Sequence, residues 1–209
     1  MLGYLKKHSN LGISYYNDLP NSPLGELLSK HNLPHDTTVV FSDSSWQDCV
    51  DTGKSTGAFA IFSQGGLVDY ASFVPDPVAM SSGEAKYNAG AVAGMATLHM
   101  KMLEIDLFYL GTPFENDDKY KLPGSEKISP SLIIFDSECA IKMAETSRSS
   151  SRTHHIDRRF HFVRNGQSTR KFLLGWITSN DQQADMGTKG LLPQTLVPLL
   201  KVTFVVVKD

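Results

Sequence analysis

Leu132-Ile133-Ile134-Phe135-Asp136 is the stretch on which the fold turns. Four large apolar residues follow one another without a polar break, and the run ends in an acid. A strand with one wet face alternates apolar and polar residues, whereas a strand covered on both faces does not. The run therefore predicts a strand inside a sheet with helices on both sides. Downstream, Glu138 to Glu145 read as a helix. Arg152 to Arg164 read as another, with Ile156, Phe160 and Val163 at helical spacing. Phe172 to Thr178 form a last strand. Ser179 and Gln182 make a capping-box spacing for a helix running to about Lys189.

Upstream, residues 111 to 130 are polar, with Pro113, Pro123, Gly124 and Pro130, and read as an insertion loop. Ser81-Ser82-Gly83-Glu84 opens a long helix whose body, Ala85 to Leu107, is studded with Ala and Gly, which permit close approach to a sheet. Before it, Thr37 to Asp43, Gly57 to Phe62 and Leu67 to Phe73 have strand composition. Ser63-Gln64-Gly65-Gly66 is a hairpin signal between the last two. The first 36 residues read as a short helix around Leu2, Tyr4 and Leu5, a loop, and a helical turn from Leu24 to Leu28. The order is an antiparallel meander followed by βα units, which describes an α/β mixed sheet.

The chain has 209 residues, 41% of them hydrophobic, and a formal net charge of −2. That composition excludes a disordered chain. The apolar stretch from Leu191 to Val207 is interrupted by Pro193, Pro198 and Lys201, so no membrane span is expected. Cys49 and Cys139 make no disulfide framework, and the N-terminus has no signal-peptide core. The expectation is a soluble, intracellular protein. Charge is unevenly spread: Arg148 to Lys171 holds seven Lys and Arg against Asp157 alone, leaving −8 for the rest of a chain whose total is −2. Such a window is either a solvated helix face or a contact for a polyanion.

Asp43, Glu84, Asp136 and Asp185 stand at the ends or starts of predicted elements. Each has a structural reading: a turn former, a capping-box partner, an N-cap and a surface helix residue. Taken together they point to a common cleft, because open α/β sheets place ligands beyond the carboxyl ends of their strands. Four carboxylates in one cleft require cations, and all-oxygen ligands suit Mg2+ or Mn2+ rather than zinc.

Six segments occur in a telling order: Val40 to Trp46 with Lys54 to Gly57, Met80 to Tyr87, Phe135 to Ile141, His155 to Arg164, and Gln183 to Lys189. This set resembles the ribonuclease H domain of copia/Ty1-type LTR retrotransposon polyproteins, over roughly residues 37 to 192. Tyr4-Leu5-Lys6-Lys7 with Leu11-Gly12-Ile13 resembles the end of the upstream reverse transcriptase region, so the chain reads as a C-terminal pol fragment. The resemblance divides it into an extension (1–36), the ribonuclease H domain (37–192) and a tail (193–209). It implies the ribonuclease H-like fold: a five-stranded mixed sheet with helices on both faces.

The resemblance also implies an Asp-Glu-Asp-Asp site on Asp43, Glu84, Asp136 and Asp185. Two Mg2+ ions, or Mn2+ in their place, would there hydrolyse the RNA strand of an RNA/DNA hybrid. His155 takes an auxiliary proton-transfer role or is a surface group. Arg148, Arg152, Arg158, Arg159 and Arg164 become candidate contacts to the nucleic acid. The implied partners are the hybrid and the upstream reverse transcriptase, in a cytoplasmic retrotransposon particle or the nucleus. Two rival readings remain: a catalytically weak module that binds hybrid or scaffolds the polymerase, and a fold-mate acting on DNA. Gly83, where the family has Thr or a similar residue, is expected to loosen its helix start. Glu138 is expected to bring negative charge near the site. Trp46 and Trp176 are expected in the core.

Overall fold

The computed structural model describes residues 11–13, 22–76, 78–110, 130–145 and 157–206. A short strand, β1 (Leu11–Ile13), is followed by helix α1 (Pro23–Lys30). Ser22 caps α1 by accepting the Gly25 N–H at 3.0 Å, and Pro23 supplies a pre-set φ at the first helical position. Then come β2 (Val39–Ser45), β3 (Thr56–Ser63) and β4 (Gly66–Phe73). The β3–β4 turn holds Gln64 and Gly65 at φ of 50° and 80°, the positive pair a two-residue type I′ hairpin needs.

The long helix α2 (Ser82–Leu110) leads to β5 (Ser131–Phe135), α3 (Glu138–Glu145), α4 (Asp157–Ser168) and β6 (Phe172–Trp176). A 3-10 turn at Ser179–Asp181 precedes the short α5 (Asp185–Thr188). The last elements are α6 (Pro193–Thr203) and β7 (Phe204–Val206).

Five strands form one sheet in the order β4-β3-β2-β5-β6. The β2–β3 and β3–β4 pairs are antiparallel, whereas β2–β5 and β5–β6 are parallel. All five residues of β5 are buried, as its unbroken apolar run requires. Because side chains alternate, the sheet feeds two cores. Val40, Ile61, Ile133 and Phe135 face one way, beneath Tyr87, Ala91 and Val163 of the helices. Val39, Phe41, Leu132 and Ile134 face the other, against Leu24 and Leu28 of α1. The small residues Ala89, Ala91 and Ala93 are buried where α2 crosses the sheet.

β1 pairs with β7 in a separate antiparallel ribbon. Leu199 of α6 is buried, and Thr203 Oγ1 donates to Gln183 Oε1 at 3.1 Å. No helix among the described residues is long and apolar enough to cross a membrane.

Three expectations need correction. The Ser179–Gln182 spacing does not open a helix: Ser179 Oγ bonds Asp136 Oδ2 instead, and the Gln182 amide donates to the Ser42 carbonyl. Trp46 and Trp176 are 44% and 42% exposed, outside the core. Trp46 still anchors its loop, donating its indole N–H to the Ala79 carbonyl at 3.1 Å. Gly83 serves close packing: a Cβ there would lie 2.8 Å from Cys139 Sγ, so α2 and α3 meet where only glycine fits. Residues 111–129 of the expected insertion lie outside the described residues.

Candidate active site

The parallel register of β2 on β5 pairs Val39 with Leu132 and Phe41 with Ile134. Two residues further along each strand stand Asp43 and Asp136, level with one another at the carboxyl edge of the sheet. That edge is where a parallel pair places a ligand site. Asp185 is brought to the same edge by α5, whose position follows from the Gln182 amide. Gln182 is fully buried, donates to the Ser42 carbonyl at 3.2 Å, and accepts the Ala184 N–H at 3.3 Å through its Oε1.

One carboxylate oxygen from each of Asp43, Asp136 and Asp185 lies within 4.8 Å of the others. Asp43 is fully buried, and Asp185 is 5% exposed. Glu84 is not in that cluster. It sits in the first turn of α2, where its Oε2 accepts the Met80 N–H at 3.0 Å while its own N–H donates to Ser81 Oγ. This is the capping reading of Glu84.

Two ammonium groups enter the cluster. Lys86 Nζ donates to Asp43 Oδ1 at 2.7 Å and to Asp136 Oδ1 at 2.5 Å. Lys189 Nζ lies 2.8 Å from Asp185 Oδ1 and 3.4 Å from Asp43 Oδ2. Two hydroxyls fix the remaining oxygens: Thr188 Oγ1 donates to Asp43 Oδ2 at 2.8 Å, and Ser179 Oγ to Asp136 Oδ2 at 2.9 Å.

The electrostatics follow. Burial alone pushes the Asp43 carboxyl up, but the Asp185 hydrogen bond and the Lys86 and Lys189 charges outweigh it and hold Asp43 well below the usual range. Asp185 is pushed up to about 7, first by burial and then by its hydrogen bond to Asp43, with Lys189 pulling the other way. Below about pH 7 the proton of the pair therefore sits on Asp185 while Asp43 stays ionised. Burial works to lower both lysines, yet the acids beside them raise both. The donor set is carboxylate oxygen throughout, which fits a hard divalent cation and not zinc.

Sequence reasoning missed Lys86, Ser179 and Gln182. Nothing local in the sequence marks Lys86, whose two acid partners come from the ends of β2 and β5. Glu138 points away from the cluster's chemistry, being exposed and paired with Lys142 at 2.9 Å. His155, Arg148 and Arg152 lie outside the described residues, as do the side chains of Arg158 and Arg159 on α4. Arg164, also on α4, is partly buried with its Nε enclosed and unbonded among the described residues. Its charge acts on the buried Tyr87, whose hydroxyl burial pushes upward.

No family model matches the chain. Over 161 residues, 77% of its length, it is 27% identical to the retrovirus-related Pol polyprotein from transposon TNT 1-94 of Nicotiana tabacum. The chain is thus similar to a stretch of a retrotransposon Pol polyprotein. It spans 11% of that polyprotein's length. The five-stranded mixed sheet, an antiparallel meander followed by parallel βα units, is the architecture expected of the ribonuclease H-like fold in the sequence reading.

Among solved structures, RNase H1 from the archaeon Halobacterium salinarum is 12% identical with a TM-score of 0.48, covering 72% of this chain and 92% of that one. The N-terminal RNase H domain of a Mycobacterium tuberculosis protein gives 8% and 0.46, covering 79% and 96%. LC11-RNase H1, solved with an RNA/DNA hybrid, gives 12% and 0.46, covering 77% and 99%.

Proposed function

We propose that the chain is a divalent-metal-dependent ribonuclease H that hydrolyses the RNA strand of RNA/DNA hybrids during retrotransposon reverse transcription. The observation that carries the reading is the convergence of Asp43, Asp136 and Asp185 at the carboxyl edge of the sheet. Two Mg2+ ions held by these residues and Glu84 would supply an activated water and stabilise the leaving 3′ oxygen, leaving a 5′-phosphate. The chain's own groups set the geometry. Thr188 and Ser179 fix one oxygen each on Asp43 and Asp136, and Gln182 ties the segment carrying Ser179 and Asp185 to β2. Below about pH 7 in the metal-free protein, Asp185 holds a proton beside the ionised Asp43. Glu84 would have to release the Met80 N–H to serve as a ligand.

In this reading the basic window, with Arg148, Arg152, Arg158 and Arg159, lies along the phosphates of the hybrid, and His155 assists proton transfer. Arg164 serves from its partly buried place beside Tyr87. The domain occupies 37–192, and its neighbour is the upstream reverse transcriptase, in a cytoplasmic particle or the nucleus.

The test is cleavage of an end-labelled RNA/DNA hybrid with Mg2+, then Mn2+, beside Asp136→Asn. The expected result is metal-dependent cutting of the RNA strand alone, lost in the variant. A second reading is favoured by the lysines inside the cluster: a catalytically weak module that binds hybrid or scaffolds the polymerase. Hybrid binding with no cutting by either metal would select it.

A further inference from the structure

We propose that Lys86 is a built-in occupant of the cation seat between Asp43 and Asp136, which a divalent ion must displace before the site loads. The inference rests on the metal-site reading above and concerns how that site fills. Lys86 Nζ is bonded at once to Oδ1 of both acids, at 2.7 and 2.5 Å. Its side chain is only 15% exposed. Its root is fixed, since it lies on α2 directly before the fully buried Tyr87. This is not a surface lysine that drifts across an acidic patch.

The other oxygens of the pair are already engaged, Asp43 Oδ2 by Thr188 and Asp136 Oδ2 by Ser179. The two Oδ1 atoms are therefore the oxygens of this pair that Lys86 alone engages among the hydrogen bonds described. Mg2+ binds carboxylate oxygen at about 2.0–2.1 Å, inside the space the ammonium occupies. The two cations would also repel strongly at such a separation in a buried site. Occupancy is thus exclusive: ammonium or ion. Lys189 differs, being 36% exposed and placed after the last turn of α5, with its shorter contact to Asp185 alone. It can leave toward solvent without unpacking a helix.

The exchange also has a stability consequence. Without metal, Lys86 compensates two buried acids; without Lys86, a metal ion must do so.

The test measures Mn2+ binding by calorimetry and melting temperature in EDTA and in Mn2+. It uses the wild-type chain, Lys86→Met, and Lys86→Met combined with Asp136→Asn. Lys86→Met is expected to bind Mn2+ at least tenfold more tightly than wild type. It should melt lower in EDTA and recover on Mn2+ addition, and the Asp136 change should abolish both effects. Equal affinity in wild type and Lys86→Met overturns the proposal while leaving the metal site standing. Folded proteins that bind no Mn2+ at millimolar concentration sink the metal-site reading itself, and the proposal with it.

If Lys86→Met folds in neither condition, the wild-type chain decides by lysine 15N NMR. The Lys86 ammonium signal is expected to lose its exchange protection as Mg2+ binds. A signal that stays protected with Mg2+ bound overturns the proposal.

Discussion

Thr188 Oγ1 donates a 2.8 Å hydrogen bond to Asp43 Oδ2 across 145 residues of chain, joining the end of α5 to the central strand. It is a contact between two buried groups, so neither has water as a substitute partner. The bond fixes one oxygen of the acid while Lys86 fixes the other, and Asp43 is thereby held in one orientation.

Thr188→Val tests that role because it keeps the shape and removes the donor. Leaving a buried carboxylate oxygen short of a bond costs about 1–3 kcal/mol. Urea unfolding is expected to show a loss of that size, with hybrid cleavage reduced. Thr188→Ser, which restores a hydroxyl, should recover most of both. A Val variant as stable as wild type would mean that Lys189 alone secures that oxygen.

The shared proton of Asp185 and Asp43 gives a signed pH dependence. Asp185 stands at about 7 in the folded chain against an ordinary value of 3.8. Its contribution to stability is therefore complete below about pH 4 and lost as pH rises through 7. Asp43 is held low, so its contribution is present above about pH 4 and lost only at lower pH. His31 runs against Asp185, since burial first and Lys30 second push its imidazole down. The clean readout is the difference between wild type and Asp185→Asn in EDTA. From pH 4.5 to 7.5 wild type should lose stability relative to the variant. A difference that stays flat would remove the shared proton from the account.

Glu84 is a cap in this structure and a ligand in the proposed function, and Glu84→Gln separates the two. The amide oxygen of Gln still accepts the Met80 N–H, so melting temperature in EDTA should change little. Divalent-ion affinity and cleavage should both fall, by tenfold or more, if the carboxylate serves as a ligand. A variant with full metal affinity would leave Glu84 as a cap alone.

The parts of the fold legible in the sequence are those with a single local cause. Leu132 to Phe135 had no polar break to allow a wet face, and Gln64-Gly65 had the residues that a tight hairpin demands. The acids Asp43 and Asp136 were legible because the strand ends that carry them were. The rest depended on distant partners. Ser179 and Gln182 have the spacing of a capping box, but stronger tertiary partners, Asp136 and the Ser42 carbonyl, take their side chains. Lys86 looked like any helix lysine until the parallel pairing of β2 and β5 set two acids before it. Gly83 read as a weak helix start because nothing local announces the sulfur of Cys139.

Glu138 is the acid that the sequence set closest to the site and the structure turns outward. It is 70% exposed and bonded to Lys142 one helical turn away. An exposed pair of this kind, screened by water, contributes little to stability. Glu138→Gln is therefore expected to leave both divalent-ion affinity and the urea midpoint nearly unchanged. Altered metal affinity would show that α3 turns this acid inward when the site loads.

The boundaries suggested by the resemblance can be tested by making the 37–192 piece. The cut at 36 removes Leu24 and Leu28, which are 4% and 1% exposed against the second face of the sheet. Burying a leucine side chain is worth about 1.5–3 kcal/mol, so these two together represent roughly 3–6 kcal/mol of apolar contact. The cut at 192 removes buried Leu199 and strips Gln183 of its Thr203 hydroxyl. A domain's total stability is only about 5–15 kcal/mol. The trimmed piece should therefore aggregate or unfold at much lower urea than the full chain. Restoring 22–36 should recover more than restoring 193–206, because α1 covers β2 and β5 at the centre of the sheet. A trimmed piece with the full chain's midpoint would mean that the second face closes on itself, leaving α1 and α6 as appendages.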